Sequence, residues 1–248
     1  MIDLLILIVA AFAAGALNTV AGGGTFLTLP ALIFTGVPPV IANATSAVAV
    51  FPGYASGALG FLPEMRSFDR ALLLRLTLVT LAGAATGSLL LLVSSDRAFS
   101  LIVPVLLLAA TLIFLFGDRI RAWAAARNSA VTPYGAAGLF MVSIYGGYFN
   151  GGLGIVLLAL FALWGMTDLH RMNGLKNGLS FVLSTISVAV FAIAGLVAWP
   201  QALAMMVAAT AGGFVGAPLA RMIPKHALRL LIAAIGFGMS AVFLIRLF

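Results

Sequence analysis

Residues 98–117, "AFSLIVPVLLLAATLIFLFG", run for twenty positions without a charge. At 1.5 Å per residue such a stretch makes a helix about 30 Å long, the thickness of the hydrocarbon core of a bilayer. Comparable apolar segments recur at 3–20, 43–61, 70–93, 132–150, 174–198, 201–220 and 226–247, with shorter ones at 24–36 and 152–165. Only 8% of the 248 residues are charged and 63% are hydrophobic, whereas a soluble domain is about 25% charged. A soluble fold of this size could not cover its surface with so few charges. An outer-membrane barrel would alternate apolar and polar residues over segments of about ten, and no such alternation occurs. The pattern predicts an all-α polytopic membrane protein of ten helical segments.

Several chemistries drop out at once. The chain has no cysteine and two distant histidines, His170 and His226, so neither a disulfide framework nor a thiolate or His-rich metal centre is expected. HExxH, G-x-S-x-G, G-x-G-x-x-G and Walker A patterns are all missing, which argues against an enzyme and against ATP-driven transport by this chain alone. No cofactor is expected. The net charge of +7 comes from basic residues scattered between apolar segments, which is no nucleic-acid stripe. The opening "MIDLLILIVAAFAAGA" lacks a basic n-region, its only early charge being Asp3; it is expected to be the first membrane helix rather than a cleaved signal.

The two halves match at a nearly constant offset. Gly22 and Gly24 align with Gly152 and Gly154, Asn43 with Asn173, and Phe51 with Phe181, all 130 residues apart; Gly83 and Gly87 align with Gly212 and Gly216 at 129. Such duplications are common in secondary transporters. The expected repeats are 1–127 and 128–248, joined through the polar stretch 117–133, "GDRIRAWAAARNSAVTP". Basic residues fix their relation. If 3–36 crosses once, the thirteen cations divide almost evenly between the two sides. If 3–36 crosses twice or re-enters, eleven of the thirteen share one side: Arg66, Arg70, Arg75, Arg119, Arg121, Arg127, Arg171, Lys176, Arg221, Lys225 and Arg229. The positive-inside rule selects the second arrangement. Each repeat then has odd parity, the copies are inverted, both termini face outward and the basic loops are cytoplasmic.

The candidate site begins at "NTVAGGGT". A broken helix survives in hydrocarbon only where protein or a watery cavity satisfies its backbone. Gly22, Gly23 and Gly24 permit the break, and a helix restarting near Thr25 would present N–H groups and a positive dipole end to an anion. "NGGLGI" repeats the plan with Asn150, Gly151, Gly152 and Gly154 ahead of a restart near Ile155. Asn18 and Asn150 could donate amide hydrogens. The plainer reading is that these glycines only let helices pack closely. A second constellation pairs Asn43, Thr45 and Ser46 with Asn173, Lys176 and Asn177 at the starts of two later helices. N-capping would explain Asn43 and Asn173. Lys176 either reaches a cavity, since an ionisable group inside a membrane helix marks function, or snorkels to the surface. Asp3, Glu64, Asp69, Asp96, Asp118 and Asp168 all fall in loops or at helix ends, so no deep carboxylate favours a cation as cargo.

At these residues the chain resembles the TauE/SafE sulfite-exporter family. The resemblance rests on "GALNTVAGGGTFLTLPALIFTGVPPVIANATSAVAVFPG" and "GGYFNGGLGIVLLALFALWGMTDLHRMNGLKN" and extends over nearly the whole sequence. The second half departs from the first, with Leu153 interrupting the glycines and Leu160 standing where Pro30 would match. The resemblance implies uptake or efflux of small, often sulfur-containing anions such as sulfite or sulfonates, here expected as export across a bacterial inner membrane. The expected partners are that small-molecule anion, membrane lipids and a second copy in a homodimer. An uncoupled anion channel and a non-transporting membrane scaffold are the alternatives.

Overall fold

A computed structural model describes residues 2–20, 23–126, 132–222 and 225–245, with side chains omitted chiefly within 118–126 and 215–232. Among them are eleven helices and no strand: α1 (Ile2–Val20), α2 (Thr25–Phe34), α3 (Pro39–Gly60), α4 (Leu62–Arg66), α5 (Arg70–Leu92), α6 (Asp96–Ala126), α7 (Ala136–Tyr148), α8 (Leu153–Leu163), α9 (Leu169–Ile193), α10 (Trp199–Met222) and α11 (Lys225–Ile245). Among the described residues, three stretches are long and apolar enough to cross a membrane, Arg70–Leu92, Asp96–Gly117 and His170–Ile193. Leu74, Val105 and Val207 are 61%, 64% and 72% exposed. Leucine and valine displayed like this suit a lipid environment.

The fold corrects four sequence expectations. A short helix, α4, occupies the predicted 62–69 connection, so there are eleven segments and not ten. Helix α6 continues through residues 118–126 of the predicted linker, because Arg and Ala there are strong helix formers. Helix α8 restarts at Leu153 rather than near Ile155. Helices α3 and α9 begin after Pro38 and Asp168. Asn43 and Asn173 therefore lie inside their helices, and the N-cap reading fails for both. Asp168 is the actual cap, its Oδ1 accepting from the His170 and Arg171 N–H groups at 2.9 and 3.3 Å. The boundary at 127/128 lies outside the described residues.

Packing crosses between the halves. α1 lies along α10, and α5 along α7; α3 packs on α9, and α6 on α11. The first two contacts are backbone-close: Gly15 lies against the Ala209 carbonyl, Gly212 against Phe12, and Gly87 against Ile144. A Cβ at any of these glycines would collide with main chain, which is how small residues let membrane helices approach. α3 and α9 run antiparallel, with Gly57 beside Asn177 and the Phe51 and Phe181 rings stacked 5.5 Å apart. One buried core joins Leu17, Phe26, Leu32 and Val48 to Met205 and Ala209 of α10. The other joins Leu76 and Ala84 of α5 to Leu139, Leu153, Phe161 and Leu179.

Candidate functional site

α1 ends at Val20 and α2 begins at Thr25, so the chain is non-helical at Gly23 and Gly24, as it is again at 150–152. Gly22, the first of the triplet, and Ala21 before it lie outside the described residues. The gap is bridged by Asn18, whose Oδ1 accepts the Gly24 N–H at 2.7 Å. Because that backbone donor needs an acceptor, the amide orientation of Asn18 is fixed and its Nδ2 is left as a donor. The Phe26 N–H closes a turn onto the Gly23 carbonyl at 3.1 Å. α2 has ten residues and α8 eleven, lengths of about 15 Å and about 17 Å that fall short of a bilayer core.

Next to Asn18 lies a cavity of about 340 Å³ between α1, α3, α9 and α10. Among the described residues its polar wall carries Asn18, Tyr54, Ser56, Asn173, Lys176, Asn177 and Thr210, and none of those that line it is a carboxylate. Asp168 sets the start of α9, which places Lys176 two turns inside. Lys176 is 9% exposed and its Nζ donates to Asn173 Oδ1 at 3.0 Å. An ammonium has three donors, so two remain for the cavity. Near the same end of α9 the Arg171 guanidinium lies over the Phe68 ring at 4.5 Å, a cation–π contact that holds it in place.

The remaining candidates sit elsewhere. Thr45 Oγ1 accepts the Ala198 N–H at 3.0 Å, and Ser46 Oγ is 2.6 Å from Thr28 Oγ1. Asn43 Nδ2 donates to the Tyr148 carbonyl at 2.9 Å, while its Oδ1 is buried without a partner. Thr25 is 2% exposed and its hydroxyl is also unpartnered. Asn150 is left-handed at φ 58° and 4% exposed; Tyr54 OH lies 3.5 Å from its Oδ1, and its Nδ2 has no partner. The Gly151 carbonyl accepts from Tyr145 OH. Gly152 caps α8 at φ 69°, a conformation that suits glycine. Gly154 is buried in α8. The two breaks meet through one side chain: the Phe26 ring is within 3.3 Å of the Cβ position of Gly23 and within 3.2 Å of that of Gly152.

The structure thus brings Asn18 together with Asn173, Lys176 and Asn177. It sets Gly23, Gly24, Thr25, Asn43, Thr45, Ser46, Asn150, Gly151, Gly152 and Gly154 outside the cavity wall. Tyr54, Ser56 and Thr210 join the wall, though the sequence does not single them out. Neither Tyr54 nor Thr210 stands in a motif, and nothing in the sequence marks either as a wall residue.

The TauE/SafE sulfite exporter family model matches residues 7–243. A "Probable membrane transporter protein" of Haemophilus influenzae is 30% identical over 97% of this chain and 94% of its own length. The "Probable membrane transporter protein ORF9" of Sinorhizobium sp is 28% identical over 85% of this chain and 80% of its own length. "Probable membrane transporter protein YfcA" of Escherichia coli (strain K12) is 26% identical over 95% and 87%. No solved structure gives a significant match. With a polytopic helical fold, a polar cavity inside it and a family match over almost its full length, the chain belongs to the TauE/SafE sulfite exporter family of membrane transporters.

Proposed function

We propose that the protein is a secondary transporter of small anions, sulfur oxyanions or organosulfonates, held in the cavity between α1, α3, α9 and α10. The observation that carries this reading is Lys176: a side chain 9% exposed, in a cavity without a carboxylate among its described wall residues, with an amide oxygen as its neighbour. A buried ammonium is costly unless an anion joins it. Asn18 Nδ2 and the amide of Asn177 supply further donors on the facing walls. At about 340 Å³ the space is at the small end of ligand sites, which span about 300–1,000 Å³, and so favours a compact cargo.

Inverted repeats of 1–127 and 128–248 fit the packing. Exchanging α1 with α7, α3 with α9 and α5 with α10 turns the α1–α10 contact into α7–α5 and leaves the α3–α9 contact in place. The antiparallel α3–α9 pair, with Phe51 on Phe181, is what an in-plane twofold requires. By the charge rule the end of α9 bearing Arg171 is cytoplasmic, in a bacterial inner membrane with both termini outside. Export is the direction that the family's description as sulfite exporters favours.

A thermal-shift screen of the purified protein against sulfite, sulfate, thiosulfate, sulfoacetate, taurine and simple carboxylates tests the reading. Selective stabilisation by the sulfur anions is expected; at a ligand concentration 100 times Kd it amounts to about 2.7 kcal/mol. Equal, null responses to all of them would refute it.

A further inference from the structure

Helix α9 carries a polar stripe that continues past the cavity. Asn173, Lys176 with Asn177, Ser180, Ser184 and Ser187 recur every three to four residues, which puts them on one helix face. The first three line the cavity. Ser180 and Ser184 are each 0% exposed, and neither hydroxyl has a partner.

Among the described residues the hydroxyls of Thr25, Thr80 and Ser143 are buried without a partner too; Ser180 and Ser184 differ in continuing a stripe that lines the cavity. A hydroxyl inside a helix can fall back on the carbonyl four residues earlier. Thr86 does so onto Ala82, Thr111 onto Leu107 and Thr210 onto Met206. Thr185, next to Ser184 in the same helix, bonds the Phe181 carbonyl at 2.8 Å. Ser180 and Ser184 forgo that bond and turn an unsatisfied donor into the bundle.

Their depth is fixed by the antiparallel α3–α9 pair. Asn177 is level with Gly57, and Phe181 with Phe51. Val50 is the cavity residue nearest the start of α3, so the cavity floor lies level with Phe181. Ser180 sits at that floor and Ser184 one turn beyond it. Further along the same direction, Ser187 Oγ is 2.9 Å from Ser88 Oγ, and Thr28 Oγ1 is 2.6 Å from Ser46 Oγ. Buried hydroxyls therefore continue from the floor toward the end of the bundle where α3 begins.

We propose that Ser180 and Ser184 are substrate-contacting residues, the first two hydrogen-bond donors that the anion meets after leaving Lys176 on its way through the closed half of the protein. This rests on the anion-transport reading above. An oxyanion crossing a low-dielectric region sheds water and needs replacement donors in sequence; two buried hydroxyls without partners supply them.

The test is sulfite uptake by proteoliposomes containing wild type, the Ser180→Ala/Ser184→Ala double variant and a Thr185→Ala control. Both serines are small, so alanine removes the donors with little change of packing. The double variant is expected to keep its melting temperature and its KM, because the cavity is intact, while kcat falls about tenfold or more. Thr185→Ala, whose hydroxyl already has a partner, is expected to transport like wild type. Wild-type uptake with an unchanged double variant overturns this inference alone. So does a double-variant loss that is matched by Thr185→Ala or accompanied by a lowered melting temperature. Wild-type vesicles that take up neither sulfite nor a sulfonate overturn the anion reading itself, and this inference with it.

Discussion

Replacing Lys176 by glutamine should weaken anion binding and leave the empty protein at least as stable, two effects of opposite sign. The ammonium is 9% exposed and donates to Asn173 Oδ1 at 3.0 Å, an uncharged partner. An anion about 4 Å from it gains about 4 kcal/mol at an effective dielectric constant of 20. Exchange with water reduces the net value of a charge-assisted hydrogen bond to about 1.5–3 kcal/mol. Lys176→Gln should then raise Kd by about 10-fold to 150-fold. Without ligand, the same substitution removes a buried charge that no carboxylate among the described cavity residues balances. Its effect on folding should run from neutral to stabilising, by up to about 2 kcal/mol. Lys176→Arg keeps the charge in a bulkier, planar form and should retain part of the affinity. Titration calorimetry with sulfite reports the first effect, and the melting temperature of the ligand-free protein the second. Unchanged affinity in Lys176→Gln would mean that the side chain snorkels to the surface and that the cavity selects its cargo by other groups. A lowered melting temperature with unchanged affinity would make Lys176 a structural residue.

Asn18→Asp should keep the bond to the Gly24 N–H, since a carboxylate still accepts it, and turn the remaining donor into a negative charge. Like charges side by side cost several kcal/mol, so calorimetry should find anion binding reduced by more than about 100-fold in a protein that still folds. Gly152→Ala combines a left-handed backbone with a Cβ 3.2 Å from Phe26; it should lower stability by about 1–3 kcal/mol, read as a fall in melting temperature. Gly36→Ala meets nothing within 4 Å at φ 85° and should cost only the backbone strain, about 1 kcal/mol. Single cysteines at Ser67, Ser129 and His170 should label from the cytoplasmic side and one at Ser95 from the outside; Ser67 and His170 on opposite faces would sink the inverted arrangement.

Much of the architecture was legible because a bilayer imposes length and polarity on each helix. The break before Thr25 and the deep position of Lys176 follow from glycines and one cation in an otherwise apolar text. The meeting of Asn18 with Asn173, Lys176 and Asn177 did not. It depends on α10 lying along α1 and on α9 running antiparallel to α3, and neither contact leaves a periodic mark. Pairing the two glycine clusters as one cradle was natural from their shared spacing. Three-dimensional packing instead puts the Phe26 ring between Gly23 and Gly152, and the cavity reaches Asn18 but not Asn150. Asn150, 132 residues after Asn18, has a different job: its left-handed turn is held by neighbours that include Tyr54. Serine is common in membrane helices, so nothing in the sequence marks Ser180 and Ser184, and only the missing back-bond sets them apart from Thr185.

If the α1–α3–α9–α10 cavity carries an anion across the membrane through Lys176, sulfite counterflow in proteoliposomes should separate wild type from Lys176→Gln. In wild type, unlabelled sulfite inside should accelerate the uptake of labelled sulfite, as expected of a carrier rather than a channel, and Lys176→Gln should lose that acceleration at external sulfite near the wild-type KM. Counterflow of equal size in both proteins would contradict that role of Lys176.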